Sequence, residues 1–271
     1  MIKQHYLKEI NISALQQKNG ANNKKEVIKI QSWLNLFAVI QPGGGTATGI
    51  DGDFGPSTEA AVKNFQKAKG LAPTGIVDAA LFAQLVQPLT QAFSTTSSSN
   101  NLRQLVVETA TRHLNAHAFE LVINKQANSG PWVRSYMDGN EGDEWYWCMG
   151  FVQTIIDQAA STLSKNFKTL MPPTYSCDIV ATAGIQKKLL IKNSAIRLNP
   201  SQVKPGDVFL LQKSANDWYH TGIVTAVAGD VFETIEGNTN TDGSHNGNGV
   251  YKRTRNFRKQ LIDVFSIQPL V

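Results

Sequence analysis

The sequence predicts an α+β protein in two parts: a small helical module, then a larger domain with helices first and antiparallel strands later. Three observations carry this. Apolar residues recur at helical spacing between residues 27 and 85. A Ser/Thr/Asn run interrupts the chain at Ser94-Thr95-Thr96-Ser97-Ser98-Ser99-Asn100-Asn101. The last third then changes to short apolar runs separated by Gly- and Asp-containing turns.

Residues 1–23 read as a polar N-terminal extension. The module covers 24–90. Val27, Ile30, Leu34 and Phe37, with Trp33 beside them, give its first helix. Gln41-Pro42-Gly43-Gly44-Gly45 must be a loop. Gly49-Ile50-Asp51-Gly52-Asp53-Phe54-Gly55-Pro56 is a tight turn, with Pro56 placed to start a second helix and Gly70 placed to end it. Asp78 caps a third helix carrying Leu81, Phe82 and Leu85. Ser94 to Asn101 cannot bury apolar surface, and residues 91–101 read as a linker.

The second domain, 102–271, opens on the helical pattern Leu102, Leu105, Val106, Ala110, Leu114. Asn128-Ser129-Gly130-Pro131 reads as a loop. Phe151, Val152, Ile155, Ile156 and Ala159 form a helical stripe after Cys148. Lys204-Pro205-Gly206-Asp207 turns into a strand at Val208. Residues 220–227 and 231–236 read as a hairpin, and 250–255 and 261–267 as further strands.

The 271 residues carry a formal net charge of +5, which favours polyanionic partners without choosing among nucleic acid, acidic membrane and anionic cell wall. No nucleic-acid recognition motif accompanies the charge. No apolar run approaches the roughly 20 residues of a membrane helix, so insertion is not expected. Met1-Ile2-Lys3-Gln4-His5-Tyr6 leads into polar sequence, so no secretory signal is expected and synthesis in a reducing cytoplasm is. Two cysteines, Cys148 and Cys177, make no disulfide framework.

Cys148 opens a helical pattern, where the exposed N–H groups and the helix dipole favour a thiolate. His220, Glu236 and Asn238 frame the hairpin. If Ala228-Gly229-Asp230 is a three-residue loop, Val227 pairs with Val231, and His220 falls opposite Asn238 with Gly222 opposite Glu236. The three polar side chains then share one face. His220 is the base for Cys148, and Glu236 or Asn238 orients its ring, with Glu236 favoured. The Cys148 N–H is the expected oxyanion donor. Cys177 follows Pro172-Pro173-Thr174-Tyr175 and is read as structural. These groups argue for cleavage or transfer of acyl groups.

Residues 102–271 resemble the CHAP domains, papain-like amidohydrolases related to NlpC-type wall enzymes. The resemblance rests on Asn128-Ser129-Gly130-Pro131, Trp147-Cys148-Met149-Gly150-Phe151-Val152, Lys204-Pro205-Gly206-Asp207-Val208, His220-Thr221-Gly222-Ile223-Val224 and Glu236-Gly237-Asn238. It implies a papain-like fold and cleavage of amide bonds in bacterial peptidoglycan, at the sugar–peptide junction or within the peptide. Cys148 would be the nucleophile, His220 the base, and Glu236 and Asn238 the polar partners. Tyr219 stands where such domains often have glycine and narrows the entrance. Residues 24–88 resemble the three-helix peptidoglycan-binding domain, through Gly49 to Thr58, Ala61-Val62-Lys63-Asn64-Phe65-Gln66, and Gly70-Leu71 with Thr74 to Asp78. That resemblance implies wall contact at Asp51, Gly52, Asp53, Phe54 and Thr58. The Pro42 to Gly45 insertion departs from compact members.

Among the remaining signals, Trp145, Tyr146 and Trp147 either line a substrate groove or belong to the core. Asp138, Asn140 and Asp143 offer alternating oxygens of the kind that bind calcium, as some CHAP enzymes do nearby, but the full loop spacing is absent and a solvated loop is preferred. Otherwise no cofactor is expected. His113 and His117 are four apart and lack a third ligand, so a surface pair is preferred to a metal site. His245 is placed in a loop. Lys252, Arg253, Arg255, Arg258 and Lys259 suit an anionic polymer or a solvated strand face. The combined expectation is a monomeric cell-wall hydrolase, an endolysin or an injected antibacterial effector, reaching the periplasm and wall by lysis or injection. Peptidoglycan is the expected partner, and an effector would add an immunity protein or injection-machine component. The rivals are a non-catalytic wall-binding protein with a degenerate enzyme domain, and a transferase or deamidase acting on protein.

Overall fold

The computed structural model describes residues 1–94 and 99–271, so part of the expected linker, residues 95–98, lies outside the described residues. In chain order the elements are α1 (Tyr6–Glu9), α2 (Lys24–Ile40), α3 (Pro56–Ala68), α4 (Ala79–Leu85), α5 (Gln87–Ala92) and α6 (Leu102–Asn115). Then follow β1 (Leu121–Ile123), β2 (Gln126–Ser129), α7 (Pro131–Tyr136), α8 (Cys148–Thr162) and α9 (Cys177–Gln186). The rest are β3 (Leu190–Ile191), α10 (Asn193–Leu198), β4 (Val208–Ser214), β5 (Asp217–Ala228), β6 (Val231–Thr239), β7 (Gly249–Asn256) and β8 (Ile262–Phe265). The protein is therefore α+β with an antiparallel sheet, and its N-terminal region is helical.

The compact units divide the chain differently from the sequence blocks. One unit holds residues 4–91 together with 119–144, and the other holds 1–3, 92–118 and 145–271. The segment 119–144 joins the helical module because Trp132 of α7 meets Trp33 of α2 edge-on at 6.0 Å, and Arg134 pairs with Glu9 of α1 at 2.7 Å. Asn128-Ser129-Gly130-Pro131 is not a plain loop, since β2 ends at Ser129 and α7 starts at Pro131.

In the module, Asn23 caps α2, Pro56 opens α3 and Asp78 accepts from Leu81 N–H at the start of α4. Val27, Ile30, Leu34, Val62, Phe65, Phe82 and Leu85 are buried as their spacing requires. The buried amide of Gln31 organises the 51–58 turn. Its nitrogen donates to Asp51 Oδ1, the Asp53 carbonyl and Thr58 Oγ1, and its oxygen accepts from the N–H groups of Asp51 and Gly52.

The other unit is built on a six-stranded antiparallel sheet of order β3-β8-β4-β5-β6-β7. Phe209, Leu211, Val224, Phe232, Phe257, Ile262 and Val264 form a hydrophobic core cluster with Ile196 and Val203. The β5–β6 turn is tighter than expected: Ala228 pairs with Val231, and Val227 with Phe232, leaving Gly229 and Asp230 as a two-residue turn. A bulge at Thr225 then adds a residue to β5, so Val224 pairs with Thr234 and Ile223 with Ile235. From there the register is the one a three-residue loop would have set.

Candidate active site

Cys148 is the first residue of α8, and His220 and Glu236 sit on the adjacent strands β5 and β6. Two glycines allow this convergence. A Cβ on Gly237 would lie 2.7 Å from Phe151 Cβ and 2.9 Å from the Trp147 ring, so only glycine lets β6 run this close to α8. A Cβ on Gly222 would lie 2.8 Å from Glu236 Cγ, in the space that carboxylate needs to reach His220.

His220 Nε2 and Glu236 Oε2 are 2.9 Å apart, and both residues are fully buried. The other ring nitrogen, Nδ1, makes no hydrogen bond meeting full geometric criteria; it is the nitrogen left for the Cys148 thiol, which the imidazole is near enough to polarise. Burial disfavours charge on His220, but the Cys148 and Glu236 interactions override it and raise its pKa to about 9. Burial likewise pushes Glu236 up, and His220 and Arg255 outweigh it, bringing the carboxyl to about 2.

Arg255 is a site residue that its basic cluster concealed. It is 5% exposed, donates from Nε to Glu236 Oε1 at 2.8 Å and pairs through Nη2 with Oε2 at 2.5 Å. Its guanidinium lies 5.3 Å over the Phe209 ring. Thr234 Oγ1 donates to Glu236 Oε1 as well. The neighbouring basic residues are also engaged: Lys252 pairs with Glu233 and Arg258 with Asp230. Arg255 faces the same side as Phe232, its partner across β6 and β7, so strand alternation was the signal available.

Cys177 requires a correction. It is not isolated: it opens α9, Ser176 caps that helix, and its thiol lies near enough to that of Cys148 for the two to interact. The Cys177 contact, opposed by burial and joined by His220 and the Met149 N–H, holds the Cys148 thiol well below the ordinary cysteine range. The Cys148 contact and burial push Cys177 the other way. The opposite shifts make Cys148 the more acidic of the two thiols and favour its thiolate over that of Cys177.

Asn238 does not share the task of orienting His220. The β6–β7 ladder is irregular between Glu236 and Thr239, and Asn238 has φ +56°, which breaks strand alternation. Its Oδ1 accepts from Trp147 N–H at 3.1 Å and its amide donates to the Gly247 carbonyl, so it anchors the start of α8. Glu236 is the carboxylate in hydrogen-bond contact with the ring.

The expected substrate residues divide. Trp147 is fully buried and belongs to the core, not to a groove. Trp145 stays partly accessible and meets Tyr175 edge-on at 5.9 Å. Tyr219, 40% exposed, sits at a β4–β5 bulge and meets His245 edge-on at 5.2 Å, which turns it outward beside His220. Cys148 itself is only 4% exposed. In the module, Phe54 and Thr58 are buried and build the turn, while Asp51 and Asp53 face solvent and Gly52 is intermediate.

The candidate calcium loop is tied up in internal bonds: Asp143 Oδ1 accepts from Ala127 N–H, and the Asn140 amide nitrogen donates to the Met137 carbonyl. Asp138 has φ +53° and serves the turn after α7. His113 is not on the surface. It is fully buried against Gln158 at 3.1 Å, and burial brings its pKa down to about 3, while His117 lies beyond the end of α6. Among the described residues no three His, Cys, Asp or Glu side chains cluster to hold a metal ion, and no helix is long and apolar enough to cross a membrane.

Residues 23–85 match the family described as "Putative peptidoglycan binding domain". A stretch of 54 residues is 52% identical to a protein of Streptomyces albus G named zinc D-Ala-D-Ala carboxypeptidase. It covers 20% of this chain and 21% of that relative, so the likeness spans about a fifth of either protein. No solved structure matches significantly. The chain thus carries a peptidoglycan-binding domain beside a buried thiol–imidazole–carboxylate arrangement.

Proposed function

We propose that this protein is a cysteine hydrolase of bacterial peptidoglycan, a CHAP-like amidase or endopeptidase that cuts an amide bond. The observation that carries the reading is the Cys148–His220–Glu236 arrangement at the start of α8, in a chain that also holds a peptidoglycan-binding domain. The Streptomyces relative's name supports peptidoglycan as the polymer; its zinc finds no counterpart, because the described residues offer no cluster of metal ligands.

The Cys148 thiolate attacks the amide carbonyl carbon. The tetrahedral oxyanion forms next to the Cys148 backbone N–H, at the positive end of α8. His220 gives the Nδ1 proton to the leaving amine as the C–N bond breaks, leaving a thioester. Water then loses a proton to His220 and attacks the thioester, and the Cys148 thiolate departs. Glu236, held ionised by Arg255, fixes the ring through both steps. Tyr219, which adjoins His220 in the chain and is exposed, and Trp145, two residues from Trp147, are the aromatic groups offered for substrate contact. The binding domain raises the local concentration of wall polymer at the enzyme unit through covalent linkage.

The test is digestion of purified sacculi followed by mass spectrometry of the released muropeptides. New amino termini or free glycan strands are expected from the wild-type protein. Intact sacculi with the wild type at high protein concentration would remove this reading.

A further inference from the structure

Two free cysteines are buried in the same unit, each the first residue of its helix, α8 for Cys148 and α9 for Cys177. Both helix starts approach β5: α9 is tied to it where Asp178 accepts from Trp218 N–H at 2.7 Å, two residues before His220. The two buried thiols lie near enough to interact with each other and with the His220 ring. A nucleophile needs one sulfur, so the second calls for an explanation. Serine or alanine would fill the site without the hazard of a neighbouring thiol.

We propose that Cys148 and Cys177 form a reversible disulfide that silences the enzyme under oxidising conditions and protects its nucleophile from over-oxidation. The loss of activity rests on the hydrolase reading above; the disulfide does not. The arrangement has what such a pair requires: an attacking sulfur at a helix start, an imidazole to take and give the proton, and a second buried thiol near it. With hydrogen peroxide as oxidant, the Cys148 thiolate attacks one peroxide oxygen. The O–O bond breaks, and the departing hydroxide takes the His220 proton as water. Neutral His220 then takes the Cys177 proton. The Cys177 thiolate attacks the Cys148 sulfur, the S–O bond of the sulfenic acid breaks, and a second water leaves with that proton. Two thiols and one peroxide become a disulfide and two waters. Peroxide is little larger than water, which suits sulfurs 4% and 6% exposed.

The full chain is treated with hydrogen peroxide under native conditions, its remaining thiols are alkylated after denaturation, and the digest is read by mass spectrometry. The expected result is a peptide linking Cys148 to Cys177, lost on adding dithiothreitol, with sacculus digestion falling and returning in step. In Cys177→Ser the hydroxyl still donates a hydrogen bond but cannot resolve the sulfenic acid, so Cys148 should gain two or three oxygens and dithiothreitol should restore nothing. Wild-type protein that shows two alkylated thiols, or an over-oxidised Cys148 without a linked peptide, overturns the proposal. A linked peptide in a protein whose reduced form leaves sacculi intact upholds the disulfide and removes only the hydrolase reading.

Discussion

Replacing Glu236 by Gln keeps the shape of the side chain and removes its charge, and two consequences follow that can be measured separately. His220 stands at about 9 instead of 6.5, which corresponds to about 3 kcal/mol in favour of its charged form. Burial opposes that net shift, so the Cys148 and Glu236 interactions together exceed it; Glu236 is the smaller of the two, with a share on the order of 1 kcal/mol. The alkaline limb of kcat/KM, which reports the free enzyme, should therefore fall by about one pH unit. The second consequence falls on Arg255, 5% exposed and left without its carboxylate, at about 3–5 kcal/mol of stability. Dye release from labelled sacculi across pH reads the first effect, and chemical denaturation followed by tryptophan fluorescence reads the second. The double variant Glu236→Gln, Arg255→Met should recover most of the stability and keep the displaced limb. An unmoved alkaline limb in Glu236→Gln would show that the carboxylate does not hold the imidazolium.

The remaining predictions concern stability. His220 has a folded pKa raised to about 9, so its contribution is complete below 6.5 and is lost as pH rises through 9; Glu236, lowered to about 2, contributes fully above 4.5 and is lost as pH falls through 2. His113, held near 3 by burial, binds protons more readily when unfolded, so it removes stability as pH falls from 6.5 toward 3, and His113→Gln should flatten denaturation midpoints across that interval. Gly237→Ala places its Cβ 2.7 Å from Phe151 and should destabilise by about 1–3 kcal/mol with loss of sacculus digestion, seen by melting and dye release. Gln31→Ala strips the 51–58 turn of its hydrogen-bond hub and should lower the stability of the binding domain by about 2–3 kcal/mol, with weaker pull-down on sacculi while Cys148 alkylation is unchanged.

The helices of the module were legible because caps and periodicity agree there: Asn23, Pro56 and Asp78 start helices whose apolar faces close on each other. Strands β4 to β8 were legible as apolar runs between turns, while the two-residue β3 was not. The hairpin shows the limit. Turn length and bulge position each shift register by one residue, and here a short turn and a bulge at Thr225 cancel, which no local signal announces. Asn238 leaves the face that simple alternation gives it, because its positive φ ends the alternation there. Cys177 and Arg255 were missed for a different reason. Each meets the site through partners 29 and 19 positions away in sequence, and side-chain type alone does not disclose such a neighbour. The cluster of basic residues around Arg255 gave it the look of surface, although its strand partner Phe232 is a core residue.

Cys148→Ala against wild type on purified sacculi, with released fragments resolved by mass spectrometry, bears most immediately on the thiolate mechanism. The wild type should release fragments ending at a cleaved amide, and the variant should release none while still folding cooperatively and sedimenting with sacculi. A variant that digests sacculi at a comparable rate would show that the sulfur is not the nucleophile.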